Sequence, residues 1–263
     1  MRFSCKIFLE NQTEIPNNYR SHLISLIKES IKKSGDDGEQ FYDRYYTSNN
    51  AKPFTFSTYI PSKRLNNINY LNGEYIVFFF SSYDYEFLIR VYNGLMKIKK
   101  YPFLSSKIGA IKDFNILSKK SFNQKAIFKT LSPFLVRNVE NGDIYVYPES
   151  AEINSRDKNI VNAKNWQSLD EKEFIEKHLS TSLKNLVKQH LSIDDFPFSI
   201  KLLNPVIVPV IHSSSNPLHS FKKTFPAIKC NMEIESFSEI LNLIYDIGIG
   251  ARRSEGFGML EVV

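Results

Sequence analysis

Phe54-Thr55-Phe56-Ser57-Thr58-Tyr59-Ile60 and Glu74-Tyr75-Ile76-Val77-Phe78-Phe79-Phe80-Ser81 read as two strands in direct succession, rich in aromatic and β-branched residues and separated by an Asn-rich turn. What flanks them sets the plan. After them, Tyr85 to Lys97 carries Phe87, Leu88, Val91, Leu95 and Met96 at helical spacing, and Ile108 to Leu117 closes the set as a strand. Before them, Leu23, Ile24, Leu26, Ile27 and Ile31 form a helical stripe ended by the loop from Ser34 to Gly38. Earlier still, Phe3, Cys5, Ile7 and Leu9 alternate with polar residues, Phe8 being the exception. The order is β-α-β-β-α-β, the ferredoxin-like plan.

The second half repeats the plan. Ala126 to Val136 reads as a strand interrupted by Ser132-Pro133, and a hairpin is expected through Asn141-Gly142 to Tyr147. Glu171 to Leu191 is a helix. Phe198 to Leu203 and Ala227 to Ile234 are strands with a Pro-, Ser- and His-containing insertion between them. Phe237 to Ile247 is a helix, and Phe257 to Val263 is the last strand. The expected fold class is α+β, a tandem pair of ferredoxin-like domains over 1–123 and 124–263, with a glycine-rich loop near the C-terminus.

At 263 residues, with 42% apolar residues and 21 phenylalanines, the chain has the material for a real core. The formal net charge of +6 is compatible with a nucleic-acid partner. Cys5 and Cys230 fall in strand-like stretches and are expected as buried thiols. Residues 3–9 alternate rather than forming a signal-peptide block, and the longest apolar run, Ile76 to Phe80, is too short to span a bilayer. A cytoplasmic protein without a membrane partner is the expectation.

Four of the ten glycines lie in Gly248-Ile249-Gly250-Ala251-Arg252-Arg253-Ser254-Glu255-Gly256-Phe257-Gly258. Glycine allows positive φ and close approach of backbone to a ligand, and guanidiniums suit bidentate contact with phosphate. The dinucleotide fingerprint runs the other way, from strand into helix, and no Gly-Lys-Ser/Thr ends the run, so neither nucleotide-binding motif is present. A C-cap followed by a tight turn explains Gly248 or Gly250 but not all four. The loop is expected to bind RNA backbone through Gly248, Gly250, Arg252, Arg253, Gly256 and Gly258.

The loop, the helix Glu239 to Asp246 before it, Lys52-Pro53-Phe54-Thr55-Phe56-Ser57 and Thr130-Leu131-Ser132-Pro133 together resemble the RAMP superfamily, and within it the CRISPR-associated endoribonucleases that cut repeat RNA into guide RNAs. The resemblance implies metal-independent cleavage of one phosphodiester at the foot of a repeat hairpin. The substrate's 2′-hydroxyl attacks, leaving a 2′,3′-cyclic phosphate and a 5′-hydroxyl. No cofactor is implied. The implied partners are precursor and mature CRISPR repeat RNA and, beyond them, effector-complex proteins, with the chain a monomer or a homodimer.

Many members of that family carry a catalytic His between the first helix and the second strand, a Tyr on that helix and a Lys before the strand. Here Lys52 stands at the last position, the helix position falls near Lys28, and the intervening loop Phe41-Tyr42-Asp43-Arg44-Tyr45-Tyr46 holds no His. The expected site is therefore cationic and phenolic. Lys52 and Lys28 stabilise the phosphorane, Arg44 clamps the phosphate, and Tyr45 or Tyr46 orients or protonates an oxygen. A lysine near its ordinary pKa of ~10.4 serves better as a cation than as a base, so slow turnover is expected.

Each residue has a plainer reading. Lys28 is also readable as a solvated helix-face charge, and the aromatic run as a lid over the core or a base-stacking surface. His22 is readable as a helix-surface residue, and His178 and His190 need only surface roles. His212 and His219 flank Ser213 to Pro217, an inserted hairpin placed to touch RNA. Asp36-Asp37 and Asp194-Asp195 read as solvated turn residues, and no metal site is expected. Two other functions compete: a catalytically silent guide-RNA-binding subunit of the same superfamily, and an unrelated tandem module that binds a protein or a small metabolite.

Overall fold

The computed structural model describes residues 1–11, 13–47, 51–66, 68–139, 169–213 and 222–263, with the side chains of 169–171, 212–213 and 222–223 outside that description. The chain divides into two compact units, Met1–Lys119 and Lys120–Val263.

In the first unit, β1 (Arg2–Leu9), β2 (Phe54–Tyr59), β5 (Tyr75–Ser82) and β7 (Ser106–Leu117) form an antiparallel sheet in the order β2-β5-β1-β7, and β6 (Tyr101–Phe103) extends it beyond β7. This is the ferredoxin-like order. Phe3, Cys5 and Ile7 on one side of β1 and Ile76, Phe78 and Phe80 on β5 are almost fully buried, as alternation demands. They pack with α1 (Tyr19–Lys32), through Leu23, Leu26, Ile27 and Ile31, and with α3 (Tyr85–Lys97), through Phe87, Leu88, Val91 and Leu95. Asp84 caps α3 by accepting from the Phe87 N–H at 3.0 Å.

Two features depart from the sequence reading. Phe41 to Tyr46 belongs to a second helix, α2 (Gly38–Tyr46), rather than to a loop. The Asn-rich turn contains its own hairpin, β3 (Ser62–Leu65) with β4 (Ile68–Leu71).

In the second unit, β8 (Lys125–Thr130), β9 (Ser199–Ser213), β10 (Lys222–Glu235) and β11 (Leu260–Val262) are antiparallel in the order β11-β8-β10-β9, again ferredoxin-like. The helices are α4 (Leu169–Leu191) and α5 (Ser238–Ile247). The long hairpin β9–β10 continues through residues read as an insertion. Its outer strand carries Pro205 and Pro209, which an edge strand tolerates. Cys5 and Cys230 are both buried and free. The expected Asn141-Gly142 hairpin, the segment Ser214 to Pro217, His219 and the His212 side chain lie outside the described residues.

Candidate functional site

In the first unit, α1 and α2 lie side by side, and helical spacing decides which side chains meet. Tyr42 and Tyr46, four residues apart, stack with ring centroids 4.6 Å apart and planes 11° from parallel. Lys28 and Lys32, one turn apart on α1, lie over these rings. Lys32 Nζ is 4.5 Å from the Tyr42 centroid and Lys28 Nζ is 5.0 Å from that of Tyr46. Lys52, just before β2, brings its Nζ to 5.4 Å from the same Tyr46 ring. Three of the expected residues, Lys28, Lys52 and Tyr46, thus meet at one phenol.

The electrostatics follow from that packing. Burial, and secondarily the Lys28 ammonium, push the Lys52 pKa below that of an ordinary amine. Burial raises the Tyr46 phenol, so it stays protonated. Its hydroxyl is buried and has no hydrogen-bond partner among the described residues. The group is a neutral O–H donor beside two cations, with its donor capacity unspent.

Arg44 and Tyr45 do not join them. Successive residues of a helix diverge by about 100°, and these two face α3. The Tyr45 hydroxyl donates to Asp84, and burial followed by that bond raises its pKa. Arg44 lies 3.7 Å from Glu86 and over the Phe41 ring. Asp37, a solvated turn residue as expected, is also gripped by the Arg90 fork, with Nη2 donating to Oδ2 at 2.7 Å, while Arg90 also reaches Glu86 at 3.3 Å. These contacts fasten α2 to α3 and leave its opposite face to Tyr42 and Tyr46. The sequence reading missed Tyr42 and Lys32; their i, i+4 partnership with Tyr46 and Lys28 was the available signal, hidden once the segment was taken as a loop. His22 is half-buried against Phe103, ring centroids 6.2 Å apart, and burial lowers its pKa.

In the second unit, the loop 248–258 folds back on residues 131–135. Ala251 N–H donates to the Leu135 carbonyl at 2.8 Å, Gly258 N–H to that of Pro133 at 3.0 Å, and Ile249 N–H to that of Gly258 at 3.0 Å. The approach is too close for side chains. A Cβ on Gly250 would lie 2.3 Å from the Leu135 oxygen, and one on Gly258 would lie 1.9 Å from the Ile249 oxygen, with φ at +73° and +71°. Gly248 and Gly256 also have positive φ. The loop's own backbone therefore accounts for all four glycines, which the simple C-cap reading did not.

The arginine pair splits. Arg252, itself left-handed at φ 56°, donates from Nη1 to both carboxylate oxygens of Glu255 at 3.0 and 2.8 Å and lies over the Phe225 ring. Arg253 turns inward: Nη1 donates to the Gly250 carbonyl at 3.0 Å, Nε is buried without a partner among the described residues, and burial lowers its pKa to about 10. His178, expected at the surface, is buried, with Nδ1 accepting from the Val139 N–H at 3.1 Å. Among the described residues no three His, Cys, Asp or Glu side chains are grouped to hold a metal ion, and no helix is long and apolar enough to cross a membrane.

The family model described as "CRISPR associated protein Cas6, C-terminal" matches residues 117–262. Several solved structures share the fold. One described as CRISPR associated protein Cas6 is 21% identical, with TM-score 0.70, over 100% of this chain and 99% of its own. One described as a RAMP protein binding different RNA substrates is 18% identical, with TM-score 0.70, over 100% and 99%. A Cas6-related protein from Pyrococcus furiosus is 20% identical, with TM-score 0.72, over 100% and 98%. None of the curated proteins compared with the chain matches it by sequence.

Proposed function

Because the chain belongs to the Cas6 family of CRISPR-associated proteins, we propose that it is an endoribonuclease that cuts CRISPR precursor repeat RNA, in the cytoplasm and without a metal ion, to give mature guide RNAs. The observation that carries this reading is the convergence of Lys28 and Lys52 on the Tyr46 ring. The 2′-hydroxyl oxygen bonds to phosphorus and the bond from phosphorus to the 5′ oxygen breaks, leaving a 2′,3′-cyclic phosphate and a 5′-hydroxyl. Lys28 and Lys52, as ammonium ions, offset the charge that builds on the non-bridging oxygens. Tyr46, a neutral donor that bound RNA must open to the cleft, supplies its proton to the departing 5′ oxygen and recovers one from water. The 2′ proton passes to water, because no His stands between α1 and β2 to take it. General base catalysis contributes ~10²–10⁴-fold where present, so turnover is slow for this chemistry.

The glycine loop holds the RNA backbone. Its exposed reach is through Arg252, which exchanges the Glu255 carboxylate for a phosphate. Arg253 supports the loop from within.

The test is incubation of the purified protein with a labelled repeat hairpin in chelator, followed by end-group analysis. One cut with a cyclic phosphate is expected, strongly reduced in Lys52→Ala and in Tyr46→Phe. An unchanged rate in both variants removes this cluster from the site. Tight binding with no product selects the silent guide-RNA-binding subunit, the reading that the missing His favours.

A further inference from the structure

The proposed cleavage uses Lys28 and Tyr46 and leaves their neighbours, Lys32 and Tyr42, without a task. Yet the two pairs are copies of one arrangement, a lysine ammonium facing a tyrosine ring, at 5.0 Å in the first and 4.5 Å in the second. Four residues separate the lysines on α1 and four separate the tyrosines on α2, whose rings stack 4.6 Å apart. The second copy is therefore displaced from the first by one helical turn, about 5.4 Å. Ammonium groups at that spacing suit successive phosphates of one RNA strand. A ring beneath each ammonium restrains the flexible stem without consuming its N–H donors. The copies differ in two respects. Lys52 joins the first alone. In the second, Lys32 Nζ holds the carboxylate of Glu39, from the first turn of α2, at 2.9 Å. Both members of that pair reach solvent, with side chains 34% and 68% exposed, and an exposed ion pair is weak enough to be exchanged. Glu29, the other carboxylate near Lys32, is engaged by Lys33 at 3.0 Å.

We propose that Lys32, seated on the Tyr42 ring, binds the phosphate next to the one held by Lys28, and that Glu39 occupies this subsite until RNA displaces it. The inference rests on the cleavage reading above and adds to it a second phosphate subsite at which no bond breaks. Its use is positional. Two successive phosphates fixed one turn apart define the direction of the strand, and binding energy gained at the second helps to hold the first in line for attack. Glu39 acts as an internal competitor: its carboxylate stands in for a phosphate, and a strand releases Lys32 only by bringing a phosphate into register with both lysines. This differs from a plain fastening of α2 to α1. In a fastening, loss of either partner has the same consequence. With a competitor, loss of Lys32 weakens RNA binding and loss of the Glu39 charge strengthens it.

The test measures binding by the full chain of a repeat hairpin whose foot carries 2′-O-methyl riboses, so that no cut occurs. Lys32→Gln weakens binding about fivefold at 0.1 M salt and lowers the salt slope by about 0.7, the counterion release of one single-strand contact. Glu39→Gln tightens binding roughly two- to fivefold, since the amide keeps the shape of the side chain and removes the competing charge. A neutral methylphosphonate is then moved along the foot of the hairpin, one linkage at a time. The linkage to which Lys32→Gln no longer responds lies next to the one to which Lys28→Gln no longer responds. Unchanged or weakened binding in Glu39→Gln overturns the proposal and makes the pair a fastening between helices. So does an unchanged salt slope in Lys32→Gln, or a pair of silent linkages that are not adjacent. In each of these cases the cleavage reading stands, whereas a wild-type protein that does not bind the hairpin removes both.

Discussion

Gly258→Ala separates a loop shaped by its own backbone from one whose glycines are kept clear for a ligand. The added Cβ must occupy a left-handed conformation at φ +71° and a point 1.9 Å from the Ile249 carbonyl oxygen. The conformation alone costs about 1–2 kcal/mol for a residue with a Cβ. The contact cannot be relieved by a rotamer change, since the obstacle is backbone. The loop must shift, and the Ile249 to Gly258 hydrogen bond at 3.0 Å goes with it, at about 0.5–1.5 kcal/mol. With some further loss in the neighbouring bonds to Pro133 and Leu135, the sum is roughly 2–4 kcal/mol, which lowers the thermal midpoint of the second unit by roughly 5–15 °C. The control is Gly73→Ala in the first unit, where φ is +128° but no atom lies within 4 Å of the new Cβ. That variant carries conformational strain alone. Calorimetry on the full chain gives both shifts. If Gly258→Ala falls no further than Gly73→Ala and loses RNA binding instead, the backbone account of the loop is wrong.

Two further predictions concern α2. Tyr45→Phe leaves Asp84 without a hydroxyl donor and loosens α2 from α3. A drop in thermal midpoint worth about 1–2 kcal/mol is expected, with cleavage within about twofold of wild type; a loss of cleavage matching that of Tyr46→Phe would place Tyr45 in the site after all. The second is a pH profile. Burial and the Lys28 charge lower the Lys52 pKa, so the cationic form is lost as pH rises through a value below the ordinary 10.5. The cleavage rate falls on that alkaline limb. Lys28→Gln removes the repulsion and moves the limb to higher pH even if the plateau rate drops. A limb that stays in place shows that Lys52 is not the titrating group.

Both sheets were legible because their inner strands alternate or run apolar and their long helices carry a clean stripe, so periodicity alone names β1, β5, α1 and α3. The misread parts are those whose local preference is overruled by contacts distant in sequence. The short α2, with Gly38 at its start and three tyrosines among its nine residues, has weak helix propensity. It forms because Phe41 is buried and Arg90 holds Asp37. β9 was cut short at Leu203 because Asn204, Pro205 and Pro209 look like breakers, and only its place at the sheet edge makes them harmless. The geometry of the candidate cluster was half legible for the same reason. Lys28, Lys52 and Tyr46 converge, but Arg44 and Tyr45, adjacent in sequence, diverge once the segment is helical. The roles of Glu255 and of the inward turn of Arg253 could not be read from glycine and arginine content.

The prolines of β9 have a consequence beyond secondary structure. Pro209 stands opposite Pro226 in the ladder with β10, and neither can donate a hydrogen bond, so the missing N–H of Pro209 lies on the open side of the strand. Pro205, four residues earlier, lies where the register with β10 shifts, and that irregularity breaks the run a second time. A fifteen-residue border strand would otherwise offer an incoming extended chain a long run of amides to copy. Two gaps in that run interrupt templated growth into fibrils, and so guard a sheet whose longest hairpin lies along its margin.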